Sequence, residues 1–545
     1  MRRKKILFCS EASWLNTGYS VYTKEILSRL SQIDDFEVAE LACYCDPDDP
    51  NIKKTKWKVY PNKPLSNDPS YEKYKNSPNA QFGDQSFNYV LLDFLPDIVM
   101  DIRDPWMWEF EQRSPFRDFF HWALMPTVDA KPQADQWINM FSSADSVFTY
   151  TEFGRDTILS QCKNIKFVDV ASPAASDAFY PVKDKKSHKE NMGMSSNSFI
   201  VGTVMRNQRR KLYPDLMQSF RNLLDNLKVN NIYLYLHTYY PDVGWEIPEL
   251  IQNYDLLSRV LMTYRCKSCG KISVDFFQNS VCFCSNCKQL SNQLVGIHNP
   301  IDEFDLAKIY NCFDLYVQYA NSEGFGMPQV EAAYCGIPVI SINYSAMESV
   351  VENINGISID PLSYYVECET GCKRAIPNND KFINEVMRLY NCKNLKQVGE
   401  TCRNSAIKNY DWNKTADKWT KRLKEIELKD HKDTWMSPSR IKIPKTEIPN
   451  GLNTNIEKVN FIFNEILCKP EWIGNYIWKR TLKDITFGYR CENMDQDFYF
   501  NESHQKSYKS NTSFSFEQAC EEMYKFRQQI NQWEEARLKK FGINI

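Results

Sequence analysis

The sequence predicts an α/β protein built from parallel, doubly wound sheets. Short apolar runs, typical of buried strands, alternate with segments whose apolar residues recur at helical spacing. Two of these runs, Ile6–Cys9 and Leu315–Tyr319, lead into glycine-containing loops that are followed by helical patterns. This alternation favours parallel sheets, in which binding sites lie beyond the carboxyl ends of the strands.

Length and composition bound the class of protein. The 545 residues suffice for two large domains and a further segment, and 43% of them are hydrophobic. The net charge of −2 gives no overall attraction to nucleic acid or anionic membranes. The basic N-terminus lacks a signal-peptide core, and no apolar run approaches the ~20 residues of a membrane helix. We therefore expect a soluble, cytoplasmic protein whose 18 cysteines are mostly free thiols.

The N-terminal part carries the first alternating pattern. The run Ile6–Cys9 is followed by a polar loop with Gly18 and then by a segment with one apolar helical face. Most single glycines in such loops serve only as turn residues. Further apolar runs predict strands at Ile98–Ile102, Trp122–Met125 and Val147–Tyr150.

The stretch Asn321–Pro338 is predicted to form the central loop and helix of the second half. Its glycines precede Pro328, which suits the first position of a helix, and Gly336 suits the C-terminal cap. The N–H groups and the dipole at a helix start favour anions, so this arrangement predicts a phosphate site. Two carboxylates, Glu323 and Glu331, would repel phosphate unless they pointed elsewhere, and we expect them to bind sugar hydroxyls.

The same run, E-G-F-G-M-P-x-x-E-A-A-x-C-G-I-P, resembles the donor-site signature of glycosyltransferase family four, a family of retaining enzymes with the GT-B fold. In that family the first glutamate contacts the transferred sugar and the second contacts the ribose of the nucleotide. The resemblance implies these roles for Glu323 and Glu331. It also implies donor contacts for the residues that follow Glu323, namely Gly324, Phe325, Gly326 and Met327.

A basic loop follows the predicted strand Phe199–Val204. Arg206 and Lys211 match the family's basic pair, which neutralises the donor diphosphate. Cations at this place stabilise the negative charge that develops on the leaving phosphate. The alternative is a solvated basic turn, and Arg209 and Arg210 are expected to be its solvated members.

The resemblance also places acceptor-side contacts in the N-terminal half. Gly18 falls in the family's glycine-containing loop. A second contact, often a histidine, follows a later strand; because His121 precedes its strand here, Asp129 is the candidate. A helix N-cap before Lys131 is an equally good interpretation of Asp129. His121 and His237 are expected to be structural residues.

Four cysteines have the spacing of a metal site. Cys266 and Cys269 form one pair, and Cys284 and Cys287 form a second pair fourteen residues later. Four thiolates suit a closed, tetrahedral and therefore structural Zn²⁺ site. Cys282 is an alternative to Cys284. The sequence thus predicts a zinc ribbon inserted into the second domain.

The resemblance covers about residues 5–425, apart from the ribbon. We expect an N-terminal Rossmann-like acceptor domain, a nucleotide-sugar donor domain, the zinc ribbon inserted in the latter, and a partly helical C-terminal extension that holds Trp472 and Trp478. The respective bounds are 1–170, 171–428, 264–290 and 429–545.

The resemblance implies a GT-B hexosyl- or glycosyltransferase that moves a sugar from a UDP- or GDP-sugar with retention of anomeric configuration. No metal would be needed for the chemistry, because the basic pair supplies the cations. The acceptor stays open: a glycan, a lipid-linked sugar, a protein or modified nucleic acid. The alternatives are a nucleic-acid-associated zinc-ribbon protein, a transferase acting on modified nucleobases in DNA, and a GT-B phosphorylase or epimerase.

Overall fold

The computed structural model describes residues 2–278, 280–296, 298–438, 449–453, 457, 461, 528–529 and 531–543. In this part of the chain, seven strands form an N-terminal sheet in the order β3-β2-β1-β4-β5-β6-β7, and every neighbouring pair is parallel. The strands are β1 (Lys4–Glu11), β2 (Phe36–Cys43), β3 (Lys58–Pro61), β4 (Ile98–Asp101), β5 (His121–Leu124), β6 (Ser146–Thr149) and β7 (Val168–Val170).

The N-terminal sheet confirms the predicted doubly wound pattern. Ile6–Cys9 of β1 is fully buried, as expected for a strand covered on both faces. The strand order reverses between β1 and β4, and this reversal opens a crevice at their carboxyl ends. The helices of this half are α1 (Gly18–Leu30), α2 (Tyr71–Asn76), α3 (Pro78–Gln81), α4 (Phe87–Phe94), α5 (Glu109–Gln112), α6 (Asp135–Ser143) and α7 (Glu152–Gln161).

The second sheet has a parallel core in the order β10-β9-β8-β14-β15-β16, which reverses between β8 and β14. Three further strands extend it beyond β10. The strands are β8 (Phe199–Val204), β9 (Ile232–His237), β10 (Val260–Cys266), β11 (Ile272–Phe276), β12 (Cys282–Phe283), β13 (Leu290–Leu294), β14 (Leu315–Gln318), β15 (Val339–Ile342) and β16 (Ile357–Ile359).

The helices of the second half connect these strands and then return to the first half. The last of them packs on α1, with Trp419 donating a hydrogen bond to the Tyr22 hydroxyl (2.8 Å) and Thr415 donating one to the Ser172 carbonyl (2.5 Å). The helices are α8 (Lys185–Asn191), α9 (Tyr213–Leu227), α10 (Ile247–Asn253), α11 (Glu303–Tyr310), α12 (Met327–Tyr334), α13 (Ala346–Asn353), α14 (Asn379–Tyr390), α15 (Leu395–Asn409) and α16 (Trp412–Glu425).

The cysteine-bearing segment continues the second sheet instead of standing beside it. β10 pairs in parallel with β9 through its first residues and antiparallel with β13 through its last residues, and it pairs antiparallel with β11 on its opposite edge. The Val274 N–H of β11 also donates to the Met192 carbonyl (3.0 Å). The structured element is therefore longer than the predicted insert at 264–290, because it begins with β10 and ends with β13.

A separate hairpin, β17 (Ser363–Val366) and β18 (Lys373–Ile376), follows β16. The sequence pattern did not predict it. Both strands are short, and every residue of β17 is exposed, so the segment lacks the buried apolar run by which the other strands were identified.

One apolar core runs through both halves. Tyr22 and Phe148 of the N-terminal half belong to the same buried cluster as Tyr316 and Val330 of the second half. The connecting stretch 173–181 contributes Phe179, which is 4% exposed, to this cluster. This connecting stretch is therefore packed into the core that the two halves share.

The described part of the C-terminal extension packs on the N-terminal half. Residues 531–540 are helical. Arg537 is fully buried and donates to the carbonyls of Trp435 (2.7 Å) and Ser437 (2.8 Å). Trp472 and Trp478 lie outside the described residues. A search of the described residues finds no helix long and apolar enough to cross a membrane.

Candidate functional site

The loop after β14 and the start of α12 form the centre of the site. Gly326 has φ of +84° and is the N-cap of α12, which begins at Met327. Pro328 therefore takes the second helical position, whereas the first was predicted. Left-handed backbone of this kind favours glycine. Gly324 lies against the N-terminal half: a Cβ there would come within 2.3 Å of Thr127 Cγ2. The donor-side loop thus closes directly onto the opposite half of the molecule.

Glu323 is held by four side chains in this loop. It is 4% exposed, and its carboxylate contacts the Lys211 ammonium and accepts a hydrogen bond from Gln318 (2.7 Å). Arg210 Nη2 lies 3.3 Å from the second carboxylate oxygen. The Ser345 hydroxyl accepts from the Glu323 N–H (3.0 Å). A buried carboxylate with this many partners is fixed in position.

Ser345 carries backbone strain at this contact. Its φ is +58° and its ψ is −150°, a combination that is costly for any residue other than glycine. It immediately precedes α13 and is fully buried. This backbone conformation places the Ser345 hydroxyl at the Glu323 N–H, so the strained residue is one of those that position Glu323.

Two loops meet because β8 and β14 are neighbours at the point where the sheet order reverses. The backbone at Lys211 bridges to Ala320, and the Asn321 N–H donates to the Arg210 carbonyl (2.9 Å). These backbone contacts bring the basic loop after β8 to the carboxylate loop after β14. The reversal point is where doubly wound sheets bind their ligands.

The predicted basic pair is only partly brought together. Lys211 is 6% exposed and contacts Glu323 as described. Arg206 instead forms a two-pronged ion pair with Asp242 (2.9 and 3.0 Å), and its side chain is 56% exposed. Arg210, which was expected to be solvated, is the cation that accompanies Lys211. The side chain of Arg210 is 43% exposed, in keeping with the expected solvation, but its ion pair with Glu323 was not predicted.

Burial changes the charge balance at Lys211. Burial, and then repulsion from Arg210, lowers the pKa of Lys211 well below its ordinary value. The contact with Glu323 acts in the opposite direction, because an adjacent carboxylate favours the charged ammonium. An anion bound beside Lys211 would therefore add to the stabilisation of its charged form.

Glu331 lies one turn into α12, as predicted, and is 9% exposed. It accepts a hydrogen bond from the Tyr310 hydroxyl (2.6 Å). Burial raises the pKa of Glu331 to about 7, although the Tyr310 hydrogen bond opposes the shift. The carboxylate therefore changes its charge near neutral pH.

The N-terminal half presents a polar group around the Tyr19 hydroxyl. The Tyr19 hydroxyl donates to Asp104 (2.9 Å) and lies 2.9 Å from the Thr127 hydroxyl, which borders Gly324. Burial raises the pKa of Asp104. Gly18, the predicted acceptor-side residue, begins α1 beside this group, and a Cβ there would meet open space.

Asp129 contacts the opposite half of the molecule. Its carboxylate accepts from Arg374 of β18 (2.7 Å) and from the Ser322 hydroxyl (3.3 Å). The alternative of a helix N-cap is wrong, because the next helix, α6, begins at Asp135 with Ala134 as its N-cap. No periodic pattern marks Arg374, which lies 245 residues from Asp129, so this partner could not be read from the sequence.

The two histidines weighed above are structural, as expected. His121 lies in β5 and its Nε2 is 2.8 Å from the Ser146 hydroxyl. His237 ends β9 and its Nδ1 is 2.8 Å from the Thr263 hydroxyl. Burial lowers the pKa of each to about 4, which keeps both rings neutral at physiological pH.

The four predicted cysteines converge at the far end of the second sheet. Their Sγ atoms all lie within 4.8 Å of one another, with 3.6 Å between Cys266 and Cys287 and 3.7 Å between Cys269 and Cys284. Cys282 lies outside this group and contacts the Asn292 carbonyl (3.6 Å). β10, which ends at Cys266, is separated from the reversal point by β9 and β8.

Comparison with known proteins gives one family match and one curated relative. Residues 245–364 match the model of the family described as glycosyl transferases group 1. The GtfA subunit of the UDP-N-acetylglucosamine–peptide N-acetylglucosaminyltransferase of Streptococcus gordonii is 26% identical over 124 residues. Those residues are 22% of this chain and 23% of the relative, so the match spans about a quarter of the relative's length.

Solved structures resemble a much larger share of the chain. Sucrose-phosphate synthase from Thermosynechococcus elongatus has a TM-score of 0.56 at 16% identity, covering 78% of this chain and 99% of its own. HepE from Anabaena, solved with UDP and glucose, has a TM-score of 0.54 at 13% identity and covers 78% and 100%. At such identities the likeness shows the fold, which is GT-B as predicted: two Rossmann-like domains that face a cleft.

Proposed function

We propose that this protein is a retaining glycosyltransferase that uses a nucleotide-sugar donor. The observation that carries the proposal is the contact of the buried Glu323 with the buried Lys211 and the exposed Arg210 before the start of α12, where the second sheet reverses. The match of residues 245–364 to glycosyl transferases group 1 supports it. HepE, which shares the fold, has been solved with UDP-glucose, so UDP-glucose is the donor to test first and a GDP-sugar the second.

Each part of the site has a role in this proposal. The N–H groups of the loop from Gly324 through Met327 and the dipole of α12 hold the diphosphate. Lys211, with three N–H donors, keeps Glu323 in place and also faces a phosphate oxygen. Glu323 accepts hydrogen bonds from the sugar and Glu331 accepts them from the ribose.

The reaction forms a bond between the acceptor oxygen and the anomeric carbon while the bond to the leaving phosphate breaks. The phosphate takes up the acceptor proton on the same face of the sugar, which retains the anomeric configuration and requires no protein base. Lys211 and Arg210, with Arg206 at the rim, stabilise the charge on the leaving phosphate. In this scheme no metal ion takes part in the transfer.

The acceptor enters from the N-terminal half. Asp104, Tyr19 and Thr127 face the donor loop and offer hydrogen-bond partners for a hydroxyl group. Asp129 remains a proposed acceptor-side residue. The exposed lysines of the ribbon, Lys267, Lys271 and Lys288, favour an anionic acceptor, and modified nucleic acid stays a candidate on this ground.

We also infer that the ribbon binds one structural Zn²⁺ through Cys266, Cys269, Cys284 and Cys287. Mutual Sγ distances below 4.8 Å suit a tetrahedral thiolate site, in which four thiolates leave no position for water or substrate. The ion would fix the two turns that join β10 to β11 and β12 to β13.

Glu323→Gln and Glu331→Ala should impair the enzyme by different routes. Glu323→Gln should lower kcat for UDP-glucose hydrolysis with little change in KM, because Glu323 meets the sugar as positive charge develops there. Glu331→Ala should mainly raise the Kd of UDP, because its role is at the ribose. Steady-state kinetics and calorimetric titration with UDP measure both. Near-normal kcat, KM and Kd in both variants would contradict the proposed site.

The affinity for UDP should depend on pH through Glu331. Burial raises the pKa of Glu331 to about 7, so the carboxylate is mostly ionised at pH 8 and mostly protonated at pH 6. A protonated carboxyl loses acceptor capacity for the ribose hydroxyls, so the Kd of UDP should rise about tenfold from pH 8 to pH 6. The phosphate of UDP also titrates in this range. Glu331→Gln is therefore the control, and a pH dependence as steep in that variant would disprove the role of Glu331.

A further inference from the structure

The hairpin β17–β18 joins the two halves of the cleft. The Lys373 N–H donates to the Lys131 carbonyl of the N-terminal half (3.0 Å), and the Ala375 N–H donates to the Asn321 carbonyl of the donor loop (3.1 Å). One strand therefore forms backbone hydrogen bonds to both halves within three residues. Between these two bonds lies Arg374.

Arg374 gathers three partners from three segments. Its side chain is 8% exposed, and it donates to Asp129 of the N-terminal half (2.7 Å), to Ser322 of the donor loop (2.6 Å) and to Glu367 of its own hairpin (2.7 Å). Ser322 is the neighbour of Glu323. The planar guanidinium, with its fixed fork of donors, can hold such partners in one geometry, which a lysine cannot.

The energetics tie this contact to the closed arrangement of the halves. Separating the halves would break the charge-assisted hydrogen bond between Arg374 and Asp129, so this bond stabilises the arrangement in which the halves meet. Within the described residues, Arg374 Nε is buried and has no hydrogen-bond partner. An unsatisfied buried donor costs free energy, so the arrangement is not optimised for stability alone.

We propose that Arg374 is a positioning residue that holds Asp129 and the donor loop in register across the cleft. The inference rests on the proposed function, in which the acceptor side must lie next to Glu323. This arrangement holds only while Arg374 bridges the halves. Arg374 acts through Asp129 and Ser322 and is not itself placed on the substrate.

The test compares Arg374→Ala, Arg374→Lys and Asp129→Asn with wild type, using UDP and UDP-glucose as probes. The Kd of UDP should change less than about threefold, whereas kcat for UDP-glucose hydrolysis should fall about tenfold or more in Arg374→Ala. Arg374→Lys should have a kcat between those of Arg374→Ala and wild type, because lysine keeps the positive charge but lacks the planar set of donors. The nearly isosteric Asp129→Asn covers the case in which Arg374→Ala does not fold. Arg388→Ala is the matched control, since Arg388 forms an exposed ion pair with Glu385.

Two further readouts separate this proposal from the function on which it rests. In the double variant Arg374→Ala/Asp129→Asn, kcat should be at most about twofold lower than in Arg374→Ala, because both changes break the same contact. Effects that multiply would overturn the proposal. Small-angle X-ray scattering with UDP should show a larger radius of gyration for Arg374→Ala than for wild type, and equal radii would also overturn it. A wild-type protein that neither binds UDP nor hydrolyses UDP-glucose would refute the proposed function. Scattering by wild type and Arg374→Ala without ligand would still test whether Arg374 holds the two halves together.

Discussion

Replacing Lys211 with alanine should lower kcat/KM for UDP-glucose hydrolysis by about 2–4 kcal/mol in transition-state free energy, the cost typical of losing one charge-stabilising group. Lys211 is 6% exposed and contacts Glu323, so its loss removes a cation from a site that water cannot easily refill. Arg206→Ala should have a smaller effect, because Arg206 is 56% exposed and already paired with Asp242. Steady-state kinetics at several UDP-glucose concentrations measure these differences.

The control must separate lost catalysis from lost stability. Breaking a buried ion pair leaves an uncompensated charge and typically costs about 3–5 kcal/mol of folding free energy. The double variant Lys211→Met/Glu323→Gln removes both charges and should regain stability in urea unfolding while staying inactive. The exposed Arg209→Ala should match wild type in both assays. Recovery of activity in the double variant, or strict dependence of the wild type on added Mg²⁺, would contradict the assigned role.

The fold could be predicted because its strands are local signals. β8 has the predicted bounds, and β1, β4, β5, β6 and β14 differ from prediction by one or two residues at their ends. The buried runs that form parallel strands need no knowledge of their partners. The hairpin β17–β18 lacks such a run, because β17 is exposed throughout and β18 has only two buried residues, and it was missed for that reason.

The candidate site was predictable only where one short stretch carries it. Glu323 and Glu331 belong to a single motif, and the structure places both as buried side chains at α12. The partners of these residues come from distant segments: Arg210 is 113 residues from Glu323, and Arg374 is 245 residues from Asp129. Which of several arginines contacts Glu323 depends on backbone contacts between loops, and no local pattern encodes those contacts.

The ribbon shows the same division between local and distant information. Cysteine spacing identified the four thiols, because zinc geometry limits the length of each turn. It could not decide between Cys282 and Cys284, which the positions of the side chains resolve in favour of Cys284. It also suggested an insert at 264–290 that interrupts the second domain. Instead, β10 belongs to the donor sheet, so part of the ribbon has support that does not depend on a metal.

The purified, unchelated protein should contain one Zn²⁺ per chain, and Cys266→Ser or Cys287→Ser should abolish its binding. Apparent binding free energies of structural zinc sites are about 10–16 kcal/mol, and that energy stabilises the fold around the ion. Without zinc, the amides of β11, β12 and β13 should lose protection from hydrogen exchange. β10 should keep its protection, because it pairs in parallel with β9.

Cys282→Ser is the matched control, since Cys282 lies in the same ribbon but outside the cluster, and it should retain the metal. Donor hydrolysis by Cys266→Ser should stay within about twofold of wild type, because β9 separates the ribbon from the reversal point where donor binding is proposed. If the ribbon also contacts an anionic acceptor, transfer to that acceptor should fall while hydrolysis persists. Protein purified without chelators that contains no zinc would disprove the metal assignment, and loss of zinc from Cys282→Ser would show that the ligand set is wrong.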